Sequence, residues 1–118
     1  LTFAQESIKA DHIEIEALFP ESFAADQEVL VGLHFKPEKD WHVYWKNPGD
    51  SGAAPKFSFE GSNAQVGPVL WPAPKRIPVA HLVNLGYYDD IAYLFSVKPG
   101  SDKFVDLKID LEWLVCKE

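Results

Sequence analysis

Cys116 is the residue whose type alone suggests chemistry, and it is the only cysteine among the 118 residues. A thiolate is a nucleophile that attacks disulfides, whereas a structural cysteine packs as a small, inert hydrophobe. Apolar and polar side chains alternate over residues 105–115, which is typical of a strand with one buried face and one wet face. Continued to Cys116, the alternation predicts the wet face and an accessible thiol. A bulge after Trp113 would reverse that face and favour an inert, buried cysteine.

The other residue types that do chemistry form no recognisable site. The four histidines have none of the close spacings that bring metal ligands together. They are His12, His34, His42 and His81. Asp89 and Asp90 are adjacent, so in an extended segment they point to opposite sides and make a poor acid–base pair. There is no nucleophile elbow and no phosphate-binding loop. We therefore expect no bound metal and no cofactor.

Aromatic residues are the second group with functional potential. Residues 83–90 are rich in apolar and aromatic side chains, unlike a solvated turn, and we predict a loop there. Its Gly86, Tyr87 and Tyr88 could fill the end of a core, form a lid over a site or offer a stacking platform. Exposed aromatic rows on β-sandwiches also bind sugars. The candidates for such a row are Tyr44, Trp71, Tyr87 and Tyr88.

Length and composition describe one globular domain, residues 1–118. The 13.3 kDa chain is long enough for a hydrophobic core, and its 47% hydrophobic content excludes a disordered chain. A net charge of −7 argues against nucleic acid or an anionic membrane as a partner. No apolar run approaches the ~18 residues that a membrane helix needs. Because the sequence contains no methionine, we expect it to be a piece of a larger, processed protein.

The dominant sequence period is two, which predicts strands. Trp41 and Trp45 share the face of Val43, so we assign both rings to the core. Turn-forming residues separate the alternating segments, and a proline-rich piece at 71–78 is expected at an edge or in a crossover. About seven short strands with regular turns predict an all-β, immunoglobulin-like antiparallel β-sandwich. The strands are expected at residues 13–19, 29–35, 41–45, 57–59, 65–71, 93–98 and 104–115.

Several sequence blocks occur together in one order: WHVYWKNPGDSG at 41–52, WPAPKR at 71–76, LGY at 85–87 and WLVCKE at 113–118. As a set they resemble the N-terminal periplasmic domain of thiol:disulfide interchange proteins of the DsbD type, including the ScsB-like proteins. The resemblance covers nearly the whole chain. It implies an immunoglobulin-like β-sandwich that is one domain of a larger membrane protein.

The resemblance also implies a redox function. Proteins of this family are disulfide reductases of the bacterial inner membrane that carry electrons outward from cytoplasmic thioredoxin, a route that also serves cytochrome c biogenesis. Their N-terminal domain takes electrons from the protein's own thioredoxin-like domain. It passes them to periplasmic disulfide isomerases or other thioredoxin-like proteins.

The family's working group is a cysteine pair, and Cys116 matches its first member. The second member would follow after Glu118. A cap loop shields this pair in the family, and it would fall at Leu85, Gly86, Tyr87 and Tyr88. With one thiol, this chain is expected to form mixed disulfides or a dimer linked through Cys116, since the resolving step needs a second thiol.

Two other interpretations remain open on the sequence. One is a non-enzymatic binding module, for instance for glycans, that uses the aromatic row. The other is a structural sandwich that orients neighbouring domains. Whether this chain is itself an enzyme also stays open, because the second cysteine lies outside it.

Overall fold

The computed structural model describes residues 3–101 and 105–117, and strands dominate this part of the chain. In chain order they are β1 (Phe3–Ala10), β2 (Ile13–Pro20), β3 (Val29–Pro37), β4 (Trp41–Gly49), β5 (Lys56–Ser62), β6 (Ala64–Val66), β7 (Lys75–Val79), β8 (Leu82–Tyr87), β9 (Ile91–Pro99), β10 (Asp106–Glu112) and β11 (Cys116–Lys117). All the pairings between these strands are antiparallel. Within the described residues, no helix has the length and apolar character needed to cross a membrane.

The strands form two layers around one core. One layer is a five-stranded sheet in the order β1-β2-β3-β9-β6. The other contains a four-stranded sheet, β11-β4-β8-β7, and a two-stranded sheet, β10-β5. Side chains from all three sheets meet in a single hydrophobic cluster. The predicted all-β antiparallel sandwich is therefore confirmed.

Aromatic rings of the five-stranded sheet fill the centre of the core. Phe35, Tyr93 and Phe95 are fully buried, and the rings of Phe35 and Tyr93 meet edge to face at 4.9 Å. The Tyr93 hydroxyl reaches across the core and donates a hydrogen bond to the carbonyl oxygen of Tyr44, 2.9 Å away. Burial holds the pKa of Tyr93 well above its usual range, so the hydroxyl remains a donor. This bond ties β4 to the opposite layer.

Several segments differ from the sequence prediction. β1 and the edge strand β7 lie outside the predicted strands, and β8 occupies the segment predicted as a loop. Residues 65–71 contribute only the end of β6 and an isolated bridge between Leu70 and Leu94. Pro68, within that segment, lacks the N–H that a continuous ladder would need. The proline-rich piece at 71–78 includes the start of edge strand β7. Proline has no backbone N–H to donate to a neighbouring strand, so an edge position is favoured.

The predicted strand over residues 104–115 is wrong as a single element, and Phe104 lies outside the described residues. β10 pairs with β5, the chain leaves this ladder at residues 113–115, and β11 then joins β4. The alternation of burial nevertheless continues through the break. Trp113 and Val115 pack against the core, while Leu114 is 39% exposed. An alternating pattern specifies which face a side chain takes and says nothing about the partner strand, so the change of sheet was not visible in the sequence.

Candidate functional site

Cys116 lies in β11, at the edge of the four-stranded sheet. The antiparallel register places Cys116 directly opposite His42 and Lys117 opposite Trp41. Residues directly opposite in such a pair project to the same face, with Cβ atoms roughly 4.5–5.5 Å apart. Cys116 and His42 are therefore side-chain neighbours.

Their shared face is the outer face of the sheet. Val43 and Tyr87 pair with each other in β4 and β8, and both belong to the core cluster. Because side chains alternate along a strand, His42 projects away from that core, and Cys116 projects with it. Cys116 is a free cysteine of intermediate exposure. The thiol thus lies on the face that the alternation indicated, partly covered.

His42 is almost completely covered although it lies on the outer face. Only 1% of its surface is exposed, and Tyr44 on the same strand face is 2% exposed. The Nε2 atom of His42 is 3.0 Å from the hydroxyl oxygen of Tyr44. The rings of His42 and Tyr88 meet edge to face at 5.7 Å. We refer to Cys116, His42, Tyr44 and Tyr88 as the thiol cluster.

The turn that follows β4 covers the thiol cluster at Tyr44. A Cβ atom at Gly52 would lie 2.4 Å from Cε1 of Tyr44 and 2.5 Å from its Cδ1. The backbone of Gly52 is therefore in direct contact with the Tyr44 ring, and a side chain at this position has no room. This contact gives a physical reason for glycine at the end of the NPGDSG stretch, residues 47–52.

Asn84 of β8 fastens this turn to the sheet. It is buried, with 1% of its surface exposed. Its Oδ1 accepts a hydrogen bond from the Ser51 backbone N–H at 2.8 Å, and its Nδ2 donates to Ser51 Oγ at 3.0 Å. The neighbouring Asp50 adds two bonds to Val83, one from backbone to backbone at 3.1 Å and one to its carboxylate at 2.8 Å. The turn is thus held by β8, the central neighbour of β4.

The loop predicted at residues 83–90 is wrong up to Tyr87, because Leu85, Gly86 and Tyr87 belong to β8. Their role as a cap over the thiol stays a prediction. A Cβ atom at Gly86 would lie only 2.1 Å from the carbonyl oxygen of Val43, so β4 and β8 approach closely here. Tyr87 projects into the core at 5% exposure and donates its hydroxyl to the carbonyl oxygen of Pro72 at 2.7 Å. Burial raises the pKa of Tyr87 to about 12. Of the predicted cap, Tyr88 is the residue whose ring lies in the thiol cluster.

The predicted exposed aromatic row is also wrong. Tyr44 and Tyr87 are buried, and Trp71 packs against the core, where its ring meets Tyr93 at 5.3 Å. A sugar-stacking platform needs ring faces open to solvent, and two of the four rings of the predicted row, Tyr44 and Tyr87, are buried. The interpretation as a glycan-binding module therefore loses the observation that motivated it.

The two tryptophans assigned to the core have different environments. Trp45 packs against the core cluster as predicted. Trp41 instead stacks on the ring of His12, with centroids 3.7 Å apart and planes 8° from parallel. His12 in turn lies 3.1 Å from a carboxylate oxygen of Glu38. Across residues 3–101 and 105–117, no group of three or more His, Cys, Asp or Glu side chains is arranged to hold a metal ion.

His42 is the residue that sequence reasoning missed at this site. Spacing excluded it as a metal ligand, and its place in the alternation is also that of an ordinary surface histidine. Its register position opposite Cys116 depends on β11 pairing with β4, which are more than 60 residues apart in sequence. The one available signal was its shared strand face with Tyr44 in residues 41–45.

Comparison with solved structures supports this description of the fold. The chain is similar to the N-terminal periplasmic domain of ScsB from Proteus mirabilis, with a TM-score of 0.74 and 21% sequence identity. The match covers 98% of this chain and 47% of that one, so this chain spans about half of the length of the solved domain. No curated protein matches this sequence.

A family model gives the more specific result. It is the model of the N-terminal domain of the thiol:disulfide interchange protein DsbD, and it matches residues 9–118. The match includes Cys116 and all of the thiol cluster. Since it spans most of the sequence, this chain belongs to the DsbD N-terminal domain family.

Proposed function

We propose that this chain is a redox-relay domain that exchanges disulfides with thioredoxin-like proteins in the periplasm through Cys116. The observation that carries the proposal is the position of Cys116 on the outer face of an edge strand. An edge strand leaves one side of the thiol open to a partner protein, whereas a central strand would not. Membership of the DsbD N-terminal domain family supplies the reaction class.

The exchange step is a substitution at sulfur. The Cys116 thiolate attacks one sulfur of a partner disulfide, a new S–S bond forms, and the partner's other sulfur leaves as a thiolate that takes up a proton. Cys116 is oxidised to the mixed disulfide while the partner's leaving sulfur is reduced. A second cysteine of the longer protein then attacks Cys116, closes an intramolecular disulfide and releases the reduced partner.

The direction of electron flow is part of the proposal. The donor would be a thioredoxin-like domain of the same parent protein in the inner membrane, and the acceptors would be periplasmic disulfide isomerases or related thioredoxin-like proteins. Residues 1–118 would act as one domain in this relay. Alone, this chain stops at the mixed disulfide or forms a dimer linked through Cys116.

A single-turnover assay tests the exchange step. A thioredoxin-like protein that retains only its attacking cysteine is activated as its thionitrobenzoate mixed disulfide and added to the reduced chain. We expect release of one equivalent of thionitrobenzoate and a covalent adduct that reducing agent dissolves. The matched control is Cys116→Ser, which should give neither product.

An unreactive Cys116 in the folded protein would contradict the proposal. The proposal would also be contradicted if the folded chain formed the adduct no faster than the denatured chain. Equal rates would mean that the thiol is accessible but that the partner does not recognise the folded domain. Repeating the assay in a longer chain that includes the second cysteine should yield free reduced partner in place of the adduct.

A further inference from the structure

The outer face of the four-stranded sheet contains a buried imidazole beside the one thiol. His42 is 1% exposed and directly opposite Cys116 in the β4–β11 pair. Burial of a polar ring has a free-energy cost, which a phenylalanine or leucine at the same position would avoid. A histidine at this position therefore suggests that its nitrogens contribute chemistry as well as packing.

Tyr44 holds the orientation of the imidazole. Its hydroxyl oxygen is 3.0 Å from Nε2 of His42, and its own ring is clamped by the backbone of Gly52. A hydrogen bond to one ring nitrogen sets the tautomer and restricts rotation of the ring. The imidazole is therefore a preorganised group next to the thiol.

We propose that His42 takes up the proton of the Cys116 thiol and stabilises the thiolate. This inference rests on the proposed function, because it assigns a role in the same exchange reaction. The Cys116 S–H bond breaks, its proton passes to the imidazole, and the electron pair remains on sulfur. After attack on a disulfide, the imidazolium returns the proton to the departing thiolate.

Both protonation states of His42 are compatible with the tyrosine. In both states Nε2–H donates to the tyrosine hydroxyl oxygen, and the proton of the thiol is taken up at Nδ1. The Tyr44–His42 bond therefore persists through the proton transfer. Such a pair needs no rearrangement during the reaction, which favours a low barrier.

Groups from several strands of the sheet face His42. Tyr44 faces it from β4, Tyr88 from the end of β8, and Cys116 from β11. On the next register row, β7 contributes Lys75, which pairs with Asp89 at 3.7 Å. These two opposite charges compensate each other at the rim.

The pH dependence of thiol reactivity tests this role. Bis(2-hydroxyethyl) disulfide is a neutral probe without a titratable group, and its adduct with the chain can be followed by intact mass from about pH 5 to about pH 10. We expect His42→Gln to lower the rate near neutral pH roughly tenfold and to move the midpoint to higher pH, since the rate follows the thiolate fraction. The rates should converge in alkali, where the thiolate forms without assistance.

The matched control is His34→Gln. His34 lies on the other sheet, 3.5 Å from Asp90 and with 28% of its side chain exposed, so its pH profile should match that of the original chain. Tyr44→Phe removes the bond to Nε2 and should shift the midpoint in the same direction as His42→Gln, by a smaller amount. An unchanged profile in folded His42→Gln would overturn the inference.

A second measurement keeps the test valid if His42→Gln does not fold. The imidazole nitrogens of His42 are titrated by NMR in the unsubstituted sequence and in Cys116→Ser. A coupled pair requires that the His42 titration changes when the thiol is removed, and identical titrations would reject the role. Because neither experiment uses a partner protein, its outcome is separate from that of the thioredoxin assay.

Discussion

The carboxamide of Asn84 holds the backbone of Ser51, with Oδ1 accepting from the Ser51 N–H at 2.8 Å. This single buried side chain connects the strand that flanks β4 to the turn that covers Tyr44. The turn formed by residues 47–52 thus covers the thiol cluster, while the thiol itself comes from the far end of the chain.

Replacing Asn84 with alanine should destabilise the fold by about 1–3 kcal/mol, because the Ser51 N–H would be left without its partner in a part-buried position. Urea unfolding followed by circular dichroism measures this change. The matched control is Asn47→Ala, which removes an exposed Asn47 Oδ1 that accepts from the Gly49 N–H at 3.2 Å. An equal loss in both variants would show that burial of Asn84 adds nothing.

A methyl group at residue 52 should displace the Tyr44 ring. In Gly52→Ala the new Cβ would lie 2.4 Å from Cε1 of Tyr44, so either the ring or the turn must shift. We expect a changed aromatic NMR spectrum for Tyr44 and a weaker contact with His42. The comparison variant is Gly32→Ala, whose Cβ would meet only the end of the flexible Leu94 side chain, at 3.2 Å. An unaltered Tyr44 signal in Gly52→Ala would contradict the contact.

Gly86→Ala distinguishes a strand from a cap loop at residues 85–88. A Cβ here would lie 2.1 Å from the Val43 carbonyl oxygen, and backbone atoms cannot yield as a side chain can. We expect a loss of at least ~2 kcal/mol of stability, measured by thermal and urea unfolding. Gly61→Ala is the control, since its nearest atom would be 3.2 Å away. A mobile loop would tolerate both substitutions equally.

Alkaline pH should weaken the fold through Tyr87. Its pKa is raised to about 12 by burial, whereas in the unfolded chain it is near the ordinary value of 10.0. Between these two values the unfolded state has lost a proton that the folded state retains, so the free energy of unfolding falls as pH rises. Below about pH 10 this group contributes no pH dependence.

Unfolding in urea at several pH values between about 9 and 12 checks this prediction. In Tyr87→Phe the decline should be shallower than in the original chain, because one titrating group has been removed. Tyr93 shifts in the same direction and remains in both proteins. Parallel curves for the two proteins would exclude Tyr87 as a source of the alkaline instability.

The alternation of apolar and polar residues was enough to predict the fold class and the face of the sheet on which the thiol lies. Alternation in residues 13–19, 29–35 and 93–98 marks strands that the structure contains, and burial of Ile13, Ile15 and Phe35 follows from it. Family resemblance through the block around Cys116 was confirmed by the match to the DsbD N-terminal domain model. These properties are local, because side-chain period and short motifs are written in consecutive residues.

Pairing between distant strands could not be derived in this way. A strand forms at Leu85, Gly86 and Tyr87 because β4 and β7 supply hydrogen-bond partners on both sides. That His42 lies beside Cys116 depends on the chain changing sheets at residues 113–115. Local sequence specifies the face of a side chain, whereas its neighbours across the sheet are selected by the packing of the whole core.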